Sequence, residues 1–145
     1  MASKASQWHV TLHLKSTATV RRRWCFHTAW TTVRQHVELD EFVVMPNHLH
    51  GILVINEGPK KTSHRDVSTK TYLRSQSLGA IIGQFKSVCT KRIRGCGFSR
   101  FGWQARFYEH IIRDESSLGN IRQYIVDNPA KWELDDDNPK KFQKK

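Results

Sequence analysis

Val37-Glu-Leu-Asp-Glu-Phe-Val-Val-Met-Pro-Asn-His-Leu-His-Gly-Ile-Leu-Val-Ile55 is the stretch on which the fold turns. Residues 37–45 begin by alternating and end apolar, as a strand entering a core does. Pro46-Asn47 is a turn signal, and residues 48–55 form a second strand, so 37–55 predicts a β-hairpin. Side chains two apart on a strand share a face. The imidazoles of His48 and His50 therefore project side by side, with Leu49 turned the other way. Two neutral imidazoles together can hold one divalent metal. A bare His-x-His also occurs at a sheet surface with no ligand, because a metal needs more than two donors.

Outward from the hairpin, residues 8–15 alternate as a half-buried strand. A basic cluster follows, Val20-Arg-Arg-Arg-Trp24, and residues 28–35 predict a short helix or irregular structure. Downstream, residues 56–75 are polar and read as a loop. Leu78, Ile81, Ile82, Phe85, Val88, Cys89 and Ile93 then fall on one helical stripe, which Gly95 and Gly97 end. Residues 107–112 predict a further strand. Asp114 to Ser116 supply N-cap candidates for a second helix to about residue 127, stopped by Pro129. Residues 133–145 form an acidic patch and a basic tail. The order predicts an α+β domain, an antiparallel sheet with helices packed on one face. Residues 1–132 form the single domain, with 17–35 irregular or degenerate and 133–145 a charged C-terminal tail.

The bulk properties fit one modest domain. The chain has 145 residues, of which 38% are hydrophobic and 26% charged. No apolar run is long enough to span a bilayer, and the first residues lack a secretory core. Cys25, Cys89 and Cys96 match no paired metal spacing and read as reduced thiols of a cytosolic protein. The formal net charge of +11 points to a polyanionic partner, nucleic acid before membrane.

Two further groups carry candidate chemistry. Tyr124 and Asn128 lie four apart on the last helix, about 40° apart around its axis, at the edge of the face marked by Leu118, Ile121 and Ile125. That position suits a side chain that packs by its ring and works with its hydroxyl; it equally suits a boundary tyrosine and a helix-ending Asn. Basic and aromatic residues interleave at Lys86, Arg92, Arg94, Arg100, Trp103 and Arg106. Arginines position phosphates and aromatic faces stack unpaired bases, which makes these six the candidate nucleic-acid contacts; a solvated helix face with a core tryptophan is the plainer alternative.

Val43-Val-Met-Pro-Asn-His-Leu-His-Gly51 resembles the signature of the single-tyrosine HUH transposases, named for a His, bulky apolar residue, His motif. Phe85-Lys86 resembles the family's helix, Trp103-Gln104 through Phe107-Tyr-Glu-His-Ile-Ile-Arg-Asp-Glu115 its next strand and turn, and Tyr124-Ile125 with Asn128-Pro129 its catalytic helix. The four blocks stand in order across about residues 37–133. The branch they resemble is the REP-associated one, in which Asn follows the tyrosine by four positions. The segment from Thr17 to Gln35 departs from the family by being short and basic, so its first helix is expected to be shortened.

The resemblance implies a ferredoxin-like fold with the HUH strand at the sheet centre. It also implies metal ligands at His48, His50 and Asn128, Mg²⁺ or Mn²⁺ as the ion, and Tyr124 as nucleophile. The implied reaction is cleavage and joining of single-stranded DNA through a 5′-phosphotyrosine. Tyrosine is a weak nucleophile while protonated, and a divalent cation on the phosphate makes phosphorus more electrophilic. The implied partner is single-stranded or hairpin DNA, met in the cytoplasm of a prokaryote at the nucleoid; the family includes both homodimers and monomers. The alternative is a domesticated or decayed transposase that binds such DNA without cutting it.

Overall fold

The computed structural model describes residues 5–15, 26, 28–30, 36–56, 77–136, 138 and 140. Strand β1 (Ser6–Leu14) is followed by β2 (Val37–Val44), β3 (His48–Ile55), helix α1 (Leu78–Gly95), β4 (Trp103–Ile112), helix α2 (Glu115–Asp127) and a 3-10 helix (Asn128–Leu134). The strands form one antiparallel sheet in the order β2-β3-β1-β4, with β3 and β1 central. This is the ferredoxin-like arrangement expected, with the paired histidines on an interior strand.

The hairpin closes where the sequence placed its turn. Met45 N donates to His48 O at 2.8 Å around Pro46-Asn47, and Leu14 N donates to Asn47 O at 2.8 Å, tying the turn to β1. Proline fixes φ at the second turn position. On β2 the register shifts between Leu39 and Phe42. This bulge keeps both side chains in the same core and frees Asp40 for the other face. Gly51 lies opposite Phe42, and a Cβ there would meet Phe42 Cδ2 at 3.3 Å.

One face of the sheet carries the larger core. Val10, Leu12, Leu14, Leu49 and Leu53 pack beneath Ile81, Ile82, Phe85 and Cys89 of α1. Residues 26 and 28–30 are helical, and Phe26, Ala29 and Trp30 are buried in the same cluster. Trp30 stacks on Phe85 with ring centroids 3.7 Å apart and planes 11° apart. The segment expected to be irregular thus contributes helical, buried residues here; the rest of 17–35 lies outside the described residues. Its weak periodicity hid this, because two aromatic rings do the burying that a longer apolar stripe would otherwise do.

The helices do not all lie on one face. α1 and the helical residues 26 and 28–30 cover one side as expected, while α2 packs on the other through Leu118, Ile121 and Ile125 against Val43, Ile52 and Ile112. The alternating pattern of Val43, Ile52 and Ile112 leaves an apolar patch there, which α2 covers. The chain continues past residue 132: Asn138 is buried and its side-chain amide donates to Trp132 O at 3.0 Å. That part of the expected tail belongs to the folded domain. Among the described residues no helix is long and apolar enough to cross a membrane.

Phe85 joins α1 to Trp30, Phe26 and Trp103. Phe85→Ala should cost about 3–5 kcal/mol of stability, read by denaturant unfolding. A loss below about 1 kcal/mol would show that the stack contributes little.

Candidate metal and nucleophile site

The site is built by pairing β1 with β3. Register places Thr11 beside His50 and His13 beside His48, so the alternate polar residues of β1 line the same face as the paired histidines. His48 and His50 are both buried, with their Nε2 atoms 3.0 Å apart. The other ring nitrogens are held from behind. His48 Nδ1 meets Asn47 Oδ1 at 2.7 Å, and His50 Nδ1 meets Thr11 Oγ1 at 2.9 Å. An amide oxygen only accepts, so His48 carries its proton on Nδ1 and its Nε2 presents a lone pair. The Thr11 hydroxyl can donate or accept, which lets His50 take either tautomer.

Electrostatics keeps His50 uncharged. Burial, with His48, His9 and His13 adding, pushes its pKa down to about 3. Burial and then His110 lower that of His9. His9 stacks on His50 at 5.4 Å between ring centroids, and its Nε2 is buried without a hydrogen-bond partner. His50 is therefore neutral at neutral pH with a ring nitrogen able to bind a cation.

Tyr124 approaches from α2. Its ring lies edge-on to His50 at 5.3 Å and to His9 at 6.2 Å, and it is 48% exposed. Arg122, two residues earlier, fastens the helix to the β2 bulge with Nη2 2.8 Å from Asp40 Oδ2. Asp114 caps its start by accepting from Ser117 N at 2.8 Å. Asn128 ends the helix buried, its Oδ1 without a hydrogen-bond partner. The next turn brings Trp132 to 6.0 Å from His48. Tyr124, His48 and His50 are thus gathered on one face by one chain.

The two Nε2 atoms stand within hydrogen-bond distance of each other, close enough to share one divalent ion. Among the described residues no three His, Cys, Asp or Glu side chains form a metal-binding cluster. Asn128 Oδ1 is a buried oxygen lacking a partner, and such atoms ordinarily have one.

The candidate DNA contacts divide. Lys86 Nζ donates to Gln104 O at 2.9 Å and Arg106 O at 3.3 Å, beside the Trp103 and Phe107 rings. Arg94 donates twice to Phe101 O, and Arg92 to Thr28 Oγ1 at 3.0 Å. Trp103 packs against Phe26, Phe85 and Phe101 and donates to Lys86 O, so it is a core tryptophan. These four side chains tie α1 to its neighbours. Arg100 and Arg106 stand exposed. Sequence reasoning passed over His9, Thr11, His13, Asn47 and Trp132; the polar residues alternating along β1 were the available signal.

No family model matches the chain. A Haemophilus influenzae protein without an assigned function is 43% identical over 104 residues, 68% of this chain and 58% of that one. A second protein of the same species, provisionally named a REP-associated tyrosine transposase, is 30% identical over 73% of this chain and 58% of its own length. The Escherichia coli REP-associated tyrosine transposase is 25% identical over 88% of the chain and 68% of its own length. The chain thus spans about 58% of the first two relatives. Among solved structures, a REP-associated tyrosine transposase bound to a REP hairpin matches with TM-score 0.64 and 23% identity, over 90% of this chain and 71% of that one. In sequence and in fold, the chain is similar to the REP-associated tyrosine transposases.

Proposed function

We propose that the chain cleaves and rejoins single-stranded DNA, with Tyr124 as nucleophile and a divalent ion, Mg²⁺ or Mn²⁺, held by His48, His50 and Asn128. The observation that carries this reading is the facing pair of Nε2 atoms 3.0 Å apart with Tyr124 beside them. The bound ion would neutralise charge on the phosphate under attack. Asn47 and Thr11 orient the two imidazoles, an arrangement common behind metal-binding histidines. Tyr124 keeps its ring against His50 and His9 while remaining open to a strand arriving from solvent. Its phenol oxygen attacks phosphorus, forming a phosphotyrosine and releasing a 3′-hydroxyl. Because the link retains the phosphodiester's energy, a later 3′-hydroxyl can displace Tyr124 and rejoin the strand.

Support for the DNA partner comes from the net charge of +11 and from the relatives named above. Within one chain Tyr124 already reaches His50, and a homodimer remains an open form of the assembly. The setting would be the prokaryotic cytoplasm, at the nucleoid. The competing reading is a domesticated or decayed relative that grips hairpin or single-stranded DNA without cutting it.

Asn128 tests the metal assignment without DNA. An unpaired buried oxygen costs stability, so Asn128→Leu should stabilise the metal-free protein by about 1–2 kcal/mol. The same variant should lose the heat of Mn²⁺ binding in calorimetry. A destabilised variant, or one that binds Mn²⁺ like wild type, removes Asn128 from the ligand set.

Tyr124→Phe keeps the ring and loses one oxygen. Stability should change by at most about 0.5–1.5 kcal/mol, DNA binding should persist, and the covalent adduct with labelled hairpin DNA should vanish. His48→Ala should abolish the adduct through lost metal, with excess Mn²⁺ restoring a trace. A persistent adduct in Tyr124→Phe would refute the mechanism; binding without any adduct in wild type would favour the non-cutting relative.

A further inference from the structure

The sheet face that carries the histidines does not stop at β1. Register places Thr11 between His50 of β3 and Tyr108 of β4. Paired residues point to the same face, so His50, Thr11 and Tyr108 form a row across three strands. With strands about 4.8 Å apart, the Tyr108 backbone lies about 10 Å from that of His50. Tyr108 is 61% exposed, and its ring and hydroxyl have no partner among the described residues. His110 continues the same face two residues on, opposite His9, and is also exposed. Arg106 and Arg113 stand exposed toward either end of the strand.

An exposed ring on an open sheet edge is free to meet a ligand that reaches that edge. Phe26, Trp30 and Phe85, by contrast, lie in the core, while Tyr108 is the most exposed aromatic ring among the described residues. Tyr108 is set apart from these by pointing away from α1, toward the side where Tyr124 waits. A strand with its phosphate at Tyr124 has to leave the site in some direction. Toward β4 it meets a ring of the right size for an unpaired base and arginines for its phosphates.

We propose that Tyr108 is a base-stacking platform, taking an unpaired base of the single strand near the phosphate at Tyr124. This rests on the reading that the site receives a single strand, but not on its being cut. Stacking uses the ring face, so Tyr108→Phe and Tyr108→Trp should retain the contact while Tyr108→Ala removes it.

The test compares an oligodeoxyadenylate of about twenty nucleotides with an abasic strand of equal length, each binding the full chain by fluorescence anisotropy at fixed salt. Tyr108→Ala should weaken the oligodeoxyadenylate about tenfold and change the abasic strand by less than about twofold, since only one base–ring contact is lost. Phe and Trp variants should bind like wild type, which also controls for folding. The proposal is overturned if Tyr108→Ala binds the oligodeoxyadenylate normally, or if it loses both strands alike. It also fails if wild type does not prefer bases to the abasic strand, or binds neither. Adduct formation with labelled hairpin DNA and Mn²⁺ reports on Tyr124 separately: base-dependent binding without that adduct sinks the cleavage reading and leaves Tyr108 in place.

Discussion

Antiparallel pairing of β1 with β3 sets both faces of the sheet at once. On one side the pair delivers Val10, Leu12, Leu49 and Leu53 to the core; on the other it brings Thr11 to His50 and His13 to His48. Because strand side chains alternate, a slip of one residue would exchange these sets, exposing the leucines and driving histidines into the apolar cluster. The hydrophobic demand of one face therefore fixes the geometry of the other. Backing of His50 by Thr11 follows from where the leucines must go.

The two faces differ in how firmly their helices are held. α1 is fixed by a dense aromatic cluster and by Lys86, Arg92 and Arg94, which give their donors to neighbouring backbone and side-chain oxygens. α2 rests on a smaller apolar cluster and an Arg122–Asp40 pair at the surface. Such a pair contributes at most about 1 kcal/mol. Elements with fewer buried contacts open more readily, and here the lighter attachment falls on the helix that presents Tyr124.

Much of this was legible in the residues themselves. The hairpin was legible because Pro46-Asn47 is strong turn chemistry between two alternating runs, and α1 because its apolar stripe is unbroken. The placement of α2 on the second face was not, since Leu118, Ile121 and Ile125 announce an apolar side without saying which sheet face receives it. Trp103 and Lys86 misled for a related reason: an aromatic ring and a cation near each other read the same whether they serve DNA or each other, and only the third dimension decides. His9 and His13 were visible as polar residues on a half-buried strand, but their nearness to His48 and His50 is a property of register between segments some forty residues apart, which periodicity within one segment does not contain.

The strand at the middle of the sheet is also the first one made. On one edge β1 pairs with β3, but its other edge is filled only by β4, where Gln7 meets Ile112 across about a hundred residues of chain. During synthesis, then, the second hydrogen-bonding edge of β1 has no partner until β4 has left the ribosome. Long-range pairings of this kind form slowly and leave unpaired strand edges open to association in the meantime. A premature stop before β4 would thus leave the central strand without its second neighbour, as material for chaperones and proteases rather than as a smaller folded domain.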